Sequence, residues 1–426
     1  MPTTIVIADD VTGANDIGIM YAKAGMDALV YNYGDGTPQD YQPCDVLIVD
    51  TDSRFDSREN AYRKVYDALK KVPKEGVVQY IDKQCSVFRG NIGAEFDAML
   101  DALEEEFAVV VLGFPDNGRT TLHGIHYVHG VKLEESQFRN DPVHPMTKSG
   151  LVEILAGQTK RKVGAVFYET YEGGPDAVKA AVKEAKKNCN YCIMDVRDNN
   201  DLALLAEALK EEKIICGSSA LSEYLAKLAV QKNGKNLTRE KKKVPAKIFC
   251  MAGSLTPQTA AQTAYMKEAG YPVFELDTRE LFEKERRQAE CRRILEGVDK
   301  AYEQGAFAMI HSANDAATVA ETKRFASSEG IDNTAVSTMV SAVLSEISEK
   351  VIDKFGIRRI IVCGGDTSAS LCAKLHIKGM KVLEEIEAGL PTCESVDAPY
   401  YRMVLKSGSF GSKEFVEKAM EKLLLE

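Results

Sequence analysis

The segment IVIADDVTGAND, residues 5–16, decides the fold class. It begins with Ile5–Asp9, a short run of β-branched residues that predicts a buried strand, and Ala14–Ala24 has the pattern of a helix. A strand that passes directly into a helix is the first half of a βαβ unit, which joins parallel strands. The segment therefore predicts a mostly parallel sheet covered by helices.

The same alternation of short apolar runs and helical patterns continues along the chain. Before residue 232, further strands are predicted at Val46–Asp50, Val77–Ile81, Val109–Gly113, Gly164–Tyr168, Ile193–Val196 and Ile214–Cys216. After residue 246, strands are predicted at Ile248–Met251, Val273–Leu276, Ala308–Ile310, Ile360–Val362 and Met403–Leu405. These runs are continuously apolar, so we expect each sheet to be covered on both faces. The predicted fold is α/β, with two domains that are each a mostly parallel sheet flanked by helices.

A polar stretch separates the two series of strands. Residues 231–236 and the basic run Glu240–Lys243 contain almost no apolar side chains. We predict a linker at 233–245, between a domain of residues 1–232 and a domain of residues 246–426. The alternative is a solvated surface loop within a single domain.

The charge balance excludes some classes of partner. The 426 residues include 64 Asp and Glu against 54 Lys and Arg, which gives a net charge of −10. Such a chain lacks the positive surface that binds nucleic acid or anionic lipid, so neither is expected as a partner. No apolar run reaches the roughly 18 residues of a membrane span, and we expect no signal peptide. The ten scattered cysteines, mostly within apolar runs, then predict a reducing, cytoplasmic location without disulfides.

Three strand ends of the first domain carry groups suited to binding a small anion. Asp10 follows the first strand, where a carboxylate can accept a hydroxyl proton or merely cap a helix. Arg54 follows the second strand and suits bidentate capture of a carboxylate or phosphate, or pairing with an acidic neighbour. The third strand leads into the polar segment 82–89. Because ligands bind beyond the carboxyl ends of such strands, their convergence on one sheet edge predicts a site.

Three closely spaced histidines invite a metal interpretation. His123, His126 and His129 form an HxxHxxH pattern that fits no standard zinc template, and His144 lies further on. The residues between them read as a turn or short strand, on which three imidazoles would not converge. We therefore predict no protein-bound metal here, and expect a loop that orders substrate or the domain interface.

Glycine turns follow strands of the second domain. Paired glycines followed by Thr or Ser at a helix start, as at 364–368, can cradle phosphate with backbone N–H groups. Similar turns are predicted at Gly253, Gly389 and Gly408. Neither a Walker A lysine motif nor a dinucleotide fingerprint occurs at these turns. Together they indicate nucleotide binding, although each turn alone is equally consistent with a purely structural role.

These segments resemble the four-carbon acid sugar kinase family, which phosphorylates threonate, erythronate and their 2-oxo relatives with ATP. The resemblance covers nearly the whole chain and is carried by ADDVTGAND (Ala8–Asp16), DTDSR (Asp50–Arg54), SVFRGNIGAE (Ser86–Glu95), FPDNGRTTLHGIHYVHGVKL (Phe114–Leu133), DPVHPM (Asp141–Met146), GSLTPQT (Gly253–Thr259), GGDTS (Gly364–Ser368) and KSGSFGS (Lys406–Ser412). It implies a transferase of carbohydrate metabolism, with an N-terminal acid-sugar domain and a C-terminal nucleotide domain that close over a cleft.

The resemblance also implies roles for individual residues. The acid would be bound by Asp10, Arg54, Asp82, Lys83, Gln84, Cys85, Ser86 and Arg89, and ATP by Ser254, Gly364, Gly365, Asp366, Thr367 and Gly408. Asp10 would accept the proton of the terminal hydroxyl, and Mg²⁺ would bridge the phosphates through waters and one or two carboxylates. The expected partners are a small sugar acid and ATP, with a homodimer as a possible assembly. Because Cys85 and Val87 replace an Asp and a Thr of the family pattern, the acid itself is left open.

Two other functions fit the same architecture. A hydroxy-acid dehydrogenase or lyase could use two such domains, although the dinucleotide fingerprint is missing. A non-catalytic, two-lobed sugar-acid sensor would bind its ligand without turnover. ATP turnover stimulated by a small acid would distinguish the kinase from both.

Overall fold

The computed structural model describes residues 1–34, 41–141, 143–230 and 244–425. The chain divides into two compact units, Met1–Leu237 and Thr238–Glu426. Apart from Val244 and Pro245, the predicted linker at 233–245 lies outside the described residues.

The described part of the first unit has eleven strands and seven helices. The strands are β1 (Thr4–Ala8), β2 (Ala28–Asn32), β3 (Val46–Asp50), β4 (Gln79–Lys83), β5 (Ala108–Val111), β6 (Arg119–Leu122), β7 (Ile125–Val128), β8 (Val131–Lys132), β9 (Val163–Val166), β10 (Tyr191–Met194) and β11 (Ile214–Gly217). The helices are α1 (Val11–Lys23), α2 (Arg58–Lys71), α3 (Ile92–Leu103), α4 (Leu151–Ala156), α5 (Gly174–Ala185), α6 (Asn199–Leu209) and α7 (Ala220–Val230).

Eight of these strands form a parallel sheet in the order β2-β3-β1-β4-β11-β5-β10-β9. All residues of β1, β3 and β4 are buried, as expected for strands covered on both faces. The chain runs from β1 to β2 and β3 on one side of β1, and then places β4 on the other side. This reversal opens a crevice beyond the carboxyl ends of β1 and β4, where ligands of open α/β sheets bind.

The predicted histidine loop is a small antiparallel sheet formed by β6, β7 and β8. Its two hairpin turns are His123-Gly124 and His129-Gly130, and all four residues have positive φ, from 49° to 80°. Two-residue hairpin turns favour this backbone because its twist matches that of the paired strands. Two of the three histidines are thus turn residues, whereas His126 lies on β7 and is buried.

The described part of the second unit has seven strands and six helices. The strands are β12 (Ile248–Ala252), β13 (Val273–Leu276), β14 (Phe307–Ser312), β15 (Arg359–Cys363), β16 (Gly379–Glu387), β17 (Leu390–Ser395) and β18 (Arg402–Lys406). The helices are α8 (Pro257–Glu268), α9 (Lys284–Gln304), α10 (Ala316–Ser328), α11 (Asn333–Phe355), α12 (Gly365–Lys374) and α13 (Phe415–Leu423).

These strands are ordered β13-β14-β12-β15-β18-β17-β16, and the first five are parallel. The strands β16, β17 and β18 pair antiparallel, and Gly389 lies in the tight turn between β16 and β17. The prediction that Gly389 lies in a strand–helix turn is therefore wrong, because this glycine joins two antiparallel strands. The order β13-β14-β12-β15 repeats the winding of β2-β3-β1-β4 in the first unit.

The predicted fold class is confirmed, since each unit contains a mostly parallel sheet flanked by helices. Among the described residues, no helix is both long enough and apolar enough to cross a membrane.

Gly217, the last residue of β11, provides a test of how tightly this sheet is packed. A Cβ at this position would lie 2.0 Å from the backbone oxygen of Val111, and φ is +131°. We expect Gly217→Ala to lower the free energy of unfolding by about 3 kcal/mol, because a backbone carbonyl cannot move aside. Urea denaturation of the full chain measures this loss.

Gly76 is the matched control, since it has φ of +78° but nothing within 4 Å of the position that a Cβ would occupy. Gly76→Ala should cost only the backbone strain, about 1 kcal/mol. Equal losses for the two variants would show that the contact with Val111 is unimportant.

Candidate functional site

One arginine joins the ends of β1 and β3 in the first unit. The Arg54 guanidinium is bidentate to Asp9, with Nε 2.7 Å from Oδ2 and Nη2 2.7 Å from Oδ1. Its Nη1 donates to Asp10 Oδ2 at 2.6 Å, and all three side chains are buried. The sequence suggests that Arg54 either captures a carboxylate or phosphate or pairs with an acidic neighbour, and the structure contains the pairing. Two of the five guanidinium N–H groups are left for a ligand.

Asp10 is both the cap of α1 and a member of this charged cluster. Its Oδ1 accepts from the backbone N–H of Gly13 at 2.7 Å, and its Oδ2 accepts from Thr12 Oγ1 at 2.7 Å. Burial alone would raise the pKa of Asp10, but Arg54, Lys83 and these two hydrogen bonds together lower it. Asp10 is therefore a buried carboxylate that stays ionised at neutral pH.

Lys83, the last residue of β4, is a second buried cation at this sheet edge. Its Nζ lies 3.2 Å from Asp16 Oδ2 and donates to the carbonyl of Gln84 at 3.1 Å. A Cβ on Gly13 would lie 2.6 Å from Asp10 Oδ1 and 3.2 Å from Lys83 Nζ. Glycine at position 13 therefore lets the Asp10 carboxylate and the Lys83 ammonium approach the first turn of α1.

Gln84 links two further acids, which contact no cation among the residues that the structure describes. Its Nε2 donates to Asp82 Oδ1 at 2.6 Å and to Glu95 Oε2 at 2.7 Å, while Ser53 Oγ donates to Glu95 Oε1 at 3.0 Å. Burial raises the pKa of Asp82 to about 8 and, together with the nearby Asp82 and Asp9 charges, raises that of Glu95 well above its usual range. These shifts favour the protonated form of both acids.

The remainder of the predicted segment turns away from the sheet edge towards the antiparallel sheet. Arg89 donates from Nε to Cys85 Sγ at 3.4 Å and forms an ion pair with Asp141. Burial opposes ionisation of the Cys85 thiol, but Arg89 and Arg54 outweigh it and lower the pKa of Cys85. The carbonyl of Ser86 lies 3.0 Å from His126 Nε2.

The His126 ring has a fixed protonation state. A carbonyl only accepts hydrogen bonds, so Nε2 must carry the proton, and Nδ1 must accept from Thr121 Oγ1 at 3.1 Å. Burial lowers the pKa of His126 to about 3, which keeps this ring neutral. Neutral His126 thus fixes the backbone of the polar segment at Ser86.

The other histidines lie apart from His126. His123 pairs with Glu169 at the surface at 2.5 Å, and His144 Nε2 is 3.0 Å from the backbone oxygen of Arg54. Within the described ranges, no three His, Cys, Asp or Glu side chains form a group that could hold a metal ion.

In the second unit, three glycine turns meet at the ends of the neighbouring strands β12, β15 and β18. A Cβ on Gly408 would lie 2.0 Å from Ser254 Oγ, and one on Gly253 would lie 2.2 Å from Thr367 Oγ1. Gly364, with φ of +133°, would bring a Cβ to 3.3 Å from the backbone nitrogen of Ser254. The predicted residues Ser254, Gly364, Thr367 and Gly408 are therefore brought together.

The turn after β15 opens the helix α12. Gly364 precedes this helix, and the first N–H groups of α12 follow at Gly365, Asp366 and Thr367. Free N–H groups at a helix start attract anions. The Asp366 carboxylate also accepts from Ser337 Oγ of α11 at 3.0 Å.

The sequence matches two family models in tandem. Residues 4–225 match the sugar-binding N-terminal domain, and residues 249–416 match the nucleotide-binding C-terminal domain. Among curated proteins, the chain is similar to the 3-oxo-tetronate kinases of Haemophilus influenzae and Actinobacillus succinogenes. Each is 30% identical, across 97% of this chain and 98% of the relative.

Solved structures with the same fold extend over the whole chain. A protein of Salmonella typhimurium LT2 superposes with a TM-score of 0.78, and one of Haemophilus influenzae with a TM-score of 0.69. Each is 28% identical, and each comparison covers 98% of this chain and 99% of the other.

The two domain matches fall on the two units of the structure, and the similarity to named kinases runs through both of them. The chain is therefore a kinase, and it belongs to the four-carbon acid sugar kinase family.

Proposed function

We propose that this protein transfers the γ-phosphoryl group of ATP to the terminal hydroxyl of a four-carbon sugar acid. The first unit would bind the acid and the second unit the nucleotide. The names of the curated relatives, 3-oxo-tetronate kinases, support this substrate class. The observation that carries the proposal is Asp10, a buried carboxylate kept ionised beside Arg54 and Lys83 at the sheet reversal. Family membership favours a kinase over a hydroxy-acid dehydrogenase or lyase.

Asp10 is the proposed base. The acid's hydroxyl oxygen forms a bond to the γ-phosphorus, and the bond from that phosphorus to the bridging oxygen breaks, with its electron pair leaving on ADP. The hydroxyl proton passes to the Asp10 carboxylate. Phosphoryl transfer demands little covalent chemistry from the protein, so an ionised, correctly placed carboxylate suffices even though its pKa is low.

We propose that protonation of some of the buried acids makes the charge at this edge suit an anionic substrate. The network holds six buried carboxyl groups and two buried cations, Arg54 and Lys83; the acids are Asp9, Asp10, Asp16, Asp50, Asp82 and Glu95. If all six ionised, they would repel a sugar acid. Burial is the largest cause of a raised pKa in five of them, whereas the ion pairs and hydrogen bonds of Asp10 outweigh burial and lower its pKa. We propose that the two remaining N–H groups of Arg54 then bind the substrate carboxylate, and that Lys83 or Arg89 neutralises developing charge.

The second unit is proposed to bind the triphosphate at Ser254, Gly364–Thr367 and Gly408, with the N–H groups at the start of α12 as donors. Of these residues, Asp366 offers a carboxylate, the kind of oxygen ligand that Mg²⁺ prefers. Asp366 would contact the ion through water. When bound, Mg²⁺ neutralises charge on the β- and γ-phosphates.

The first test of this mechanism is Asp10→Asn. Asparagine caps a helix as well as aspartate, so α1 should remain intact, whereas the amide cannot accept the proton. We expect kcat to fall by about 100-fold or more, with a smaller change in KM for the acid. Coupled-enzyme detection of ADP with a panel of four-carbon acids measures both constants and identifies the substrate.

Asp198→Asn is the matched control, because Asp198 caps α6 with an exposed side chain in the same unit. It should leave kcat unchanged. A near-normal kcat in Asp10→Asn would remove Asp10 as the base, and absence of acid-stimulated turnover in the wild type would favour the non-catalytic sensor.

The second test concerns the proton on Asp82. The folded protein holds this proton up to about pH 8, whereas the unfolded chain releases it near pH 4. Between these values the folded state binds more protons, so wild-type stability falls as pH rises. Asp82→Asn cannot ionise, and we expect its stability to fall by about 2 kcal/mol less than the wild type between pH 6 and 8. Urea denaturation at pH 6, 7 and 8 measures the two slopes.

The control for this measurement is again Asp198→Asn, whose curve should run parallel to the wild type. If the Asp82→Asn curve is also parallel, Asp82 is not protonated in the folded state and the charge argument above is wrong.

A further inference from the structure

The second unit contains a buried cation to which neither the family resemblance nor the proposed mechanism gives a role. Lys406 is the last residue of β18 and has no exposed surface. Its Nζ donates to Thr259 Oγ1 at 3.1 Å and to the carbonyls of Ser407 and Gly408 at 2.9 and 3.2 Å.

The hydrogen bonds favour the charged form of this side chain, although burial lowers the pKa of Lys406. Thr259 Oγ1 donates its own hydrogen to the Gly408 carbonyl at 2.9 Å, so it must accept from Lys406. All three partners of Nζ are therefore acceptors. An ammonium has three hydrogens to donate, whereas a neutral amine has two.

This ammonium has no carboxylate in direct contact within the described part of the chain. Among the residues that the structure describes, no carboxylate forms an ion pair with Lys406, and its three partners are neutral oxygens. A buried charge without an opposite charge is costly to the folded protein. The cost of burying the Lys406 ammonium would be offset if a bound ligand supplies a negative charge beside it.

Lys406 also lies where the three glycine turns meet. The Gly408 carbonyl accepts from Lys406, Thr259 and Thr256, which ties the turn after β18 to the start of α8. The backbone oxygen of Lys406 accepts from the N–H of Gly364 at 2.9 Å, which ties it to the turn after β15. A charge at this point acts on every turn proposed to hold phosphate.

We propose that Lys406 is a positioning residue of the nucleotide site. Its ammonium fixes the Ser407–Gly408 turn through hydrogen bonds to the two carbonyls, and it attracts the phosphate charge of the bound nucleotide. The inference rests on the proposed function. The chain has no Walker A lysine. The preference of the second unit for phosphate would instead come from Lys406, a buried lysine at the end of a strand.

The test is Lys406→Met, which keeps the length of the side chain and removes the charge. Isothermal titration with adenosine, ADP and a non-hydrolysable ATP analogue measures how affinity depends on ligand charge. We expect Kd to rise about tenfold for the ATP analogue, less for ADP and under twofold for adenosine, because charge-assisted interactions are lost only with phosphates. Lys267→Met, an exposed lysine of α8, should leave all three Kd values unchanged.

Equal weakening of adenosine and ATP binding would show a purely structural role and overturn the inference. So would unchanged binding. Lys406→Gln, which keeps donor groups without the charge, should behave like Lys406→Met; wild-type affinity for ATP in this variant would show that the charge is unnecessary. Failure of both variants to fold would likewise contradict the inference, since the loss of an unpaired buried charge should be tolerated.

The Cys363 thiol is a second group that could supply negative charge to Lys406, and the same binding measurements test it. Cys363 is the register neighbour of Lys406 on β15, and hydrogen bonding from Cys250 lowers the pKa of its thiol. Cys363→Ala should leave ATP affinity within twofold of the wild type; a rise in affinity would show that the thiolate already neutralises Lys406. Absence of ATP binding by the wild type would instead refute the proposed function itself.

Discussion

The first unit depends on the burial of one guanidinium between two carboxylates. Arg54 extends from the loop after β3 to Asp9 and Asp10 at the end of β1, through three charge-assisted hydrogen bonds. Without this cation, two adjacent acids would lose their hydration at a cost on the order of several kcal/mol per ion. Arg54 therefore helps to keep Asp10 ionised. The same Asp10 carboxylate caps α1.

Much of the fold could be predicted because strands covered on both faces are continuously apolar. The runs predicted at β1, β3 and β12 match the structure within a residue or two. The hairpin of β16 and β17 could not be predicted in this way. Glu384, Glu385 and Glu387 make β16 resemble a helix, whereas its pairing with β17 makes it a strand.

Part of the candidate site could also be predicted from the sequence. Asp10, Arg54 and Lys83 lie at or just after the carboxyl ends of parallel strands, so the sequence indicates that they share an edge. Glu95 gives no such signal, because it lies within α3 and reaches the network through Gln84 and Ser53. The partner of Arg54 and the proton on Asp82 depend on distances and burial, which spacing along a chain does not contain.

The repeated winding of the two units has a consequence for how such enzymes diversify. All contacts described for the residues proposed to bind the acid come from Met1–Leu237, and those of the glycine turns come from Thr238–Glu426. Acceptor preference can therefore drift, for example through Cys85, while the donor half stays unchanged. Recombination that exchanges only the first half would be a short evolutionary route to a new acceptor.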